Sequence, residues 1–250
     1  MSKGNKICLS IIIICTVLVV GLCAYAIMNH KSDKVTDAIK FKEEYEAYNG
    51  KVNESNDENY LNVDISRENP IVYKTGKEIV DIMKNEDAVI YFGFARCPWC
   101  RNIVEPLLKA SQNEKVDKIY YVDIYNIRDS YEFTGSIVPT QTQKGTDAYY
   151  EILKILDKNL EEYYIEDDSK NEYDTGVKRL YAPTVVAISK GKVKAFHEGT
   201  LEAQEDPYTA LTDKQKEELT KTYEDLMKSV NTKVCKDDKA CWLQSFYSII

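Results

Sequence analysis

The hydrophobic positions of this chain fall into two zones separated by a polar stretch. Residues 7–28 carry no charge, and a helix of 22 residues at about 1.5 Å per residue is about 33 Å long, enough to cross a membrane. Residues 29–69 are rich in Lys, Glu, Asn and Asp and predict a polar stalk. From residue 70 to 232, short apolar runs alternate with helical patterns, which predicts a folded α/β domain.

Within this domain the apolar runs predict strands and the helically spaced runs predict the helices between them. Residues 88–94 are the most continuous apolar run, as expected for a central strand covered on both faces. Thr75 and Glu78 match a capping box and predict the start of a helix. Apolar side chains at helical spacing predict another helix over residues 147–164, and a turn at residues 190–192 predicts a hairpin near the C-terminal end.

Cys97 and Cys100 stand where the apolar run 88–94 gives way to a helical pattern. The partial positive charge of a helix N-terminus favours a thiolate there, so this Cys-x-x-Cys suits reversible thiol–disulfide chemistry. Cys97 is the predicted nucleophile, and Cys100, one helical turn later, is the predicted resolving thiol. Arg96 and Arg101 flank the pair and are the predicted pKa-tuning residues, because a nearby cation stabilises a thiolate.

A zinc site or a static disulfide is the alternative interpretation of the same cysteine pair. Zinc normally takes four ligands, often two such pairs or one pair with histidines. The chain has no second Cys-x-x-Cys, and its two histidines are His30 and His197. The sequence therefore favours a redox-active pair over the two alternatives and predicts no metal site.

Charge and the N-terminal flank restrict the partners and the location. The chain has 33 Lys and Arg against 41 Asp and Glu, a formal net charge of −8, and no basic stripe, which argues against nucleic acid as a partner. Lys3 and Lys6 before the apolar segment favour a cytoplasmic N-terminus, a single-pass anchor over residues 1–28 and an extracytoplasmic domain. The alternative is a cleaved secretory signal ending near Ala24-Tyr25-Ala26, which gives a secreted domain.

The positions of the seven cysteines are consistent with an exported protein. Three of them, Cys8, Cys15 and Cys23, lie in the apolar segment, so the exported part contains only close pairs. Besides Cys97 and Cys100, the second pair is Cys235 and Cys241, in a C-terminal extension over residues 233–250. We predict a structural disulfide between Cys235 and Cys241, as is usual outside a reducing cytosol.

The order of predicted elements, together with Ala182-Pro183-Thr184 directly before the hairpin, resembles the thioredoxin fold over residues 70–230. That resemblance implies a central mixed sheet flanked by helices and a cis-proline loop facing the cysteine pair. It also implies that Ala182 and Pro183 bind the substrate backbone, and Trp99 is a candidate apolar rim of the same site, with local packing as its alternative role. Cys97-Pro98-Trp99-Cys100-Arg101 is most similar to exported, membrane-tethered bacterial proteins of the bacteriocin-transport accessory type.

Two departures from that pattern bear on mechanism. A minimal thioredoxin has a buried acid six residues before the first cysteine, where this chain has Tyr91, so the sequence identifies no proton acceptor for Cys100. The chain also has an insertion of about residues 128–180 before Pro183. Because it contains the predicted helix 147–164, we interpret it as a helical insertion resembling the lids of disulfide oxidases.

The sequence thus predicts an exported, membrane-anchored thiol–disulfide oxidoreductase. Its only redox group is the Cys97–Cys100 disulfide, with no further cofactor. The expected partners are cysteine-containing proteins or peptides and a membrane redox protein. An oxidase or isomerase is favoured because the flanking arginines stabilise the reduced thiolate. A reductase is one alternative, and a non-catalytic accessory module of a secretion or bacteriocin-export system is another.

Overall fold

The computed structural model describes residues 16, 19, 35–134, 138–167 and 169–230, and those of them that follow Thr36 group into one compact unit. The helices are α1 (Asp37–Glu46), α2 (Gly76–Asn85), α3 (Pro98–Glu114), α4 (Asp147–Leu156) and α5 (Asp213–Lys228). The strands are β1 (Val52–Asn53), β2 (Glu58–Asn59), β3 (Ile71–Tyr73), β4 (Asp87–Gly93), β5 (Ile119–Asp123), β6 (Ser130–Glu132), β7 (Thr140–Gln143), β8 (Glu161–Glu166), β9 (Glu172–Arg179), β10 (Thr184–Ser189) and β11 (Lys192–Glu198).

A five-stranded mixed sheet with the order β11-β10-β4-β5-β3 forms the centre of this unit. Strands β3, β5 and β4 are parallel, whereas β10 is antiparallel to both β4 and β11. Every residue of β4 from Ala88 to Gly93 is buried, which confirms the prediction of a central strand covered on both faces. The predicted hairpin is also present, with Lys190 and Gly191 both at positive φ, as a tight two-residue turn requires.

Alternate side chains of β4 enter two separate apolar layers. Val89 and Tyr91 face the layer covered by α3 and α5, and Ile90 and Phe92 face the layer covered by α2 and α4. Burying each side chain of this size stabilises the fold by about 1.5–3 kcal/mol relative to exposure. Because β4 contributes to both layers, the residues that follow it are held on a rigid support.

Capping boxes fix the starts of two of the covering helices. The Thr75 hydroxyl accepts from the backbone N–H of Glu78, and the Glu78 carboxylate accepts in return from the N–H of Thr75, as the sequence predicts. Thr212 and Gln215 make the same reciprocal pair at the start of α5. Each cap contributes about 1 kcal/mol, so α2 and α5 begin at well-defined residues.

The prediction of a polar stalk over residues 29–69 is wrong for residues 37–65. Helix α1 buries Phe41 and Tyr45 against the same layer as α3, and Ile65 is buried with them. Phe41 and Tyr45 are four residues apart, so one face of an otherwise charged helix is apolar. This segment is therefore part of the folded domain.

The prediction of a helical insertion with one helix over residues 147–164 is also wrong in part. Helix α4 ends at Leu156, a short 3-10 turn covers Asp157–Asn159, and residues 161–166 form β8, paired with β9. Helix α4 packs on α2, on the sheet face opposite α3, and does not lie over the cysteines as a lid. The additional pieces are instead two hairpins, β6–β7 and β8–β9.

The predicted anchor over residues 1–28 and the C-terminal extension 233–250 lie almost wholly outside the described residues. Within the ranges that the structure does describe, no helix combines the length and apolar character needed to span a membrane.

Candidate functional site

The two cysteines lie where β4 passes into α3. Cys97 is the N-cap of α3, and its Sγ accepts a hydrogen bond from the backbone N–H of Cys100, with 3.2 Å between sulfur and nitrogen. Pro98 follows as the first helical residue, where its missing N–H has no cost. Both thiols are free, Cys97 is 4% exposed and Cys100 is 0% exposed. Of the two buried cysteines, only Cys97 has any exposed surface.

A distant loop supplies the other wall of the site. The Ala182–Pro183 peptide bond is cis, and the Cys97 thiol donates to the carbonyl oxygen of Ala182 over 3.4 Å. The loop is tied to the end of β11, because the Gly199 N–H donates to the Pro183 carbonyl over 2.8 Å. Gly199 has a φ of +76°, a conformation that favours glycine. The residues that the sequence singles out as substrate-binding thus lie beside Cys97.

A groove of about 840 Å³ runs alongside this loop. Trp99 and Ala182 line it next to the cysteine pair, which is compatible with Trp99 as a rim for a bound peptide. Its other lining residues come from the loop before Ala182, the end of β11, the loop that follows and α5: Tyr181, His197, Glu198, Gly199, Thr200, Leu201, Glu202, Ala203, Gln204, Gln215 and Glu218. Three carboxylates and no Lys or Arg line the groove, so it presents an acidic surface to a ligand.

Burial shapes the acid–base properties of the resolving thiol. Complete burial raises the pKa of Cys100 well above its ordinary value, and the neighbouring Cys97 raises it further. Hydrogen bonding to the Phe94 backbone and to the Tyr91 side chain lowers the same pKa and opposes those effects. Cys100 is therefore a protonated thiol in the resting reduced state.

The two flanking arginines differ in what they contact. Arg101 is 3% exposed, and its guanidinium donates to the carbonyl oxygens of Leu61, Tyr45 and Ala95 and to the Asn49 side chain. These bonds hold residues 37–65 against the cysteine helix. Arg96 instead stacks on the Tyr125 ring, 3.5 Å from its centroid. The tuning of Cys97 by either charge stays a prediction.

Sequence reasoning missed Arg128, which follows β5 in a loop. Burial and the nearby Arg179 lower the pKa of Arg128, while Tyr149 and Cys97 raise it. Its guanidinium lies over the Phe94 ring, 5.1 Å from the centroid, three residues before Cys97 in the chain. No local pattern marks this residue, because its contact with Phe94 depends on how the loop folds back.

His197 has a structural environment. Its Nε2 lies 2.9 Å from the Thr200 carbonyl oxygen, and its ring packs edge-on against Tyr223. Burial lowers the pKa of His197, so the ring is neutral at physiological pH and donates to Thr200. In the part of the chain that the structure describes, no cluster of His, Cys, Asp and Glu could hold a metal ion. The predicted Cys235–Cys241 disulfide lies outside those residues.

A comparison with protein-family models gives no match for this chain, and a comparison with curated proteins gives none either.

Proposed function

We propose that the chain is a thiol–disulfide oxidoreductase that uses Cys97 and Cys100. The observation that carries the proposal is the setting of Cys97, a helix N-cap whose sulfur lies 3.4 Å from the carbonyl oxygen of Ala182, a residue that lines the groove. A thiolate at this position is stabilised by the helix N-terminus, and on this proposal a polypeptide binds in the neighbouring groove.

The topology supports a thioredoxin-like assignment. The strand order β11-β10-β4-β5-β3, with α3 and α5 on one face and α2 and α4 on the other, is compatible with that fold. The cis Ala182–Pro183 bond beside Cys97 matches the cis-proline loop that the resemblance implies. On this proposal, helix α1 and the two hairpins β6–β7 and β8–β9 are additions to the common fold.

The difference in exposure between the two cysteines supports the proposed roles, with Cys97 as nucleophile and Cys100 as resolving thiol. In the oxidising direction a substrate thiolate attacks Cys97 of the Cys97–Cys100 disulfide, that bond breaks, and Cys100 leaves as a thiolate. A second substrate thiolate then attacks the substrate sulfur of the mixed disulfide. The substrate gains a disulfide, and the protein keeps two electrons as a dithiol. In the reducing direction the Cys97 thiolate attacks first and Cys100 releases the product.

The favoured direction is oxidation or isomerisation. Stabilising the reduced Cys97 thiolate makes the disulfide a stronger oxidant, and the N-cap position provides such stabilisation. The proposed location is outside the membrane, tethered by the apolar segment of residues 7–28, where disulfides persist. The proposed substrates are cysteine-containing proteins or peptides, and a membrane redox protein would restore the oxidised state.

The reduction potential of the pair tests this proposal. The full-length protein is equilibrated in glutathione buffers of defined potential, quenched by alkylation, and the Cys97–Cys100 peptide is quantified by mass spectrometry. A value of about −120 to −180 mV supports an oxidase or isomerase, and one near about −270 mV assigns a reductase. A pair that resists reduction below about −300 mV is a structural bridge and rules out the enzyme.

A further inference from the structure

Tyr91 is a buried tyrosine on β4 whose ring lies along the strand toward the cysteines. A Cβ placed on Gly93 would lie 2.5 Å from the Tyr91 hydroxyl oxygen and 2.6 Å from Cζ, so the ring occupies the space that a side chain at position 93 would fill. Tyr91 is 0% exposed and belongs to the same buried cluster as Cys97 and Cys100. The glycine thus allows the phenol to reach the layer directly beneath the cysteine helix.

A second buried tyrosine completes a hydroxyl pair. The Tyr45 hydroxyl lies 2.7 Å from the Tyr91 hydroxyl, and both side chains are fully buried. Helix α1, which carries Tyr45, is fixed to the cysteine helix because Arg101 donates to the Tyr45 carbonyl over 2.7 Å. Helix α1 therefore places the Tyr45 hydroxyl beside the Tyr91 hydroxyl.

The need to pair both buried hydroxyl groups decides which of them donates to the other. A buried hydroxyl without a hydrogen bond destabilises the fold by about one to three times as much as a typical hydrogen bond stabilises it, so each of the two phenol protons needs an acceptor. One proton is used between the two oxygens. Tyr91 and Cys100 are both fully buried in one cluster, and a hydrogen bond from the Tyr91 side chain lowers the pKa of Cys100. When the Tyr45 hydroxyl donates to the Tyr91 oxygen and the Tyr91 hydroxyl donates to the Cys100 sulfur, each of the two phenol protons has an acceptor.

The phenols act as donors, not as bases. Burial raises the pKa of Tyr91 and of Tyr45 well above 10, so neither hydroxyl ionises near neutral pH. A phenol that keeps its proton cannot take the proton of Cys100, but it can stabilise the thiolate that forms there.

We propose that Tyr91 donates a hydrogen bond to the Cys100 thiolate during the resolving step, and that Tyr45 acts as a positioning residue that donates to Tyr91. The proposal rests on the proposed function. In that step Cys100 loses its proton, its sulfur attacks Cys97, and the bond between Cys97 and the substrate breaks. The departing substrate sulfur carries away the electron pair and takes up a proton. Tyr91 thus has the position where a minimal thioredoxin has a buried acid, with a different chemical role.

The test measures the resolving step with glutathione as the probe. Reduced full-length protein is mixed with oxidised glutathione at pH 6–10 and quenched with acid. Mass spectrometry then follows the Cys97–glutathione peptide and the Cys97–Cys100 disulfide. Because burial raises the pKa of Cys100 well above its ordinary value, the shift of the pH midpoint is measured from the ratio of resolution rates below the midpoint. Tyr91→Phe should raise the midpoint by about one unit, which slows resolution about tenfold at pH 7. Tyr45→Phe should cause a smaller slowing, of about threefold, and add nothing in the Tyr91→Phe background.

Tyr149→Phe is the matched control, since it removes a buried hydroxyl from the opposite face of the sheet and should leave the midpoint unchanged. Equal midpoints for Tyr91→Phe and wild-type protein would overturn the inference. If the wild-type protein forms no mixed disulfide, the proposed function fails separately. The pH midpoint of the Cys100 Cβ chemical shift in Cys97→Ser, followed by NMR with and without Tyr91→Phe, needs no reagent to reach the buried sulfur and then still decides whether Tyr91 stabilises the thiolate.

Discussion

Cys97 and Ala182 are 85 positions apart in the chain, yet the Cys97 thiol donates to the Ala182 carbonyl oxygen. Cys97 as a whole is 4% exposed. The groove lined by Ala182 and Trp99 lies next to this contact. The contact therefore joins the N-cap of the cysteine helix to one wall of the groove.

The first prediction concerns trapping. In Cys100→Ser the resolving thiol is missing, so mixed disulfides on Cys97 should accumulate at least tenfold over wild-type protein under oxidising conditions. Non-reducing gels and mass spectrometry of the Cys97 peptide measure this. Cys97→Ser is the control and should trap nothing, because Cys100 is 0% exposed. Equal trapping by both variants would contradict the assigned roles.

The second prediction concerns Arg101. Arg101→Lys keeps the charge but loses the planar group that donates to three carbonyl oxygens and to Asn49. We expect a loss of about 2–4 kcal/mol in the free energy of unfolding, because buried carbonyls lose their partners. Urea unfolding measures it. Lys109→Ala, at an exposed position of the same helix, should change stability by less than about 0.5 kcal/mol. A similarly small effect of Arg101→Lys would rule out its role in holding residues 37–65.

Features encoded locally could be predicted from the sequence. Strand β4 is a continuous apolar run, Thr75 and Glu78 define a helix start, and the cysteines follow directly in the chain. Each of these needs only neighbouring residues to be recognised. The strand–helix junction that carries Cys97 is therefore visible before any tertiary contact is known.

The errors come from patterns that fit two structures. Leu160 and Tyr163 continue the helical spacing of α4, but Tyr163 and Ile165 also alternate with exposed neighbours, and pairing with β9 selects the strand. Phe41 lies among charged residues, so the apolar face of α1 is not evident from the sequence. That face can be recognised only when the apolar layer that it packs against is known. The role inferred for Tyr91 is equally non-local, since its partner belongs to α1.

The third prediction concerns Gly93. In Gly93→Ala the new Cβ would meet the end of the Tyr91 ring at 2.5–2.7 Å, and the packed rings of Tyr45 and Tyr121 limit how far Tyr91 can move. We expect a loss of about 1–3 kcal/mol in unfolding free energy, measured by urea denaturation. Gly50→Ala is the control, since a Cβ there meets nothing within 4 Å and costs only backbone strain of about 1 kcal/mol. Wild-type stability in Gly93→Ala would show that Tyr91 can move freely.

The last prediction concerns the pH dependence that Glu198 gives to stability. Burial raises the pKa of this groove carboxyl above 4.5, although its hydrogen bonds with the Tyr181 N–H and the Thr184 hydroxyl lower it. A folded-state pKa above the unfolded value favours the protonated form. The stabilisation is therefore fully present below about pH 4.5 and is lost as the pH rises through the folded pKa.

Glu198→Gln keeps an oxygen acceptor and removes the charge. It should raise the melting temperature by about 1–3 °C at pH 7–8 and leave it nearly unchanged at pH 4, where wild-type Glu198 is protonated. Calorimetry across this pH range measures the difference. Glu202→Gln, an exposed position in the same groove, controls for the loss of one surface charge. A difference that stays constant with pH would mean that Gln packs better than Glu, and that ionisation of Glu198 does not limit stability. Glu198 lines the groove next to Ala182. If only the ionised Glu198 destabilises the fold, a positively charged segment of a substrate bound in the groove would offset that destabilisation.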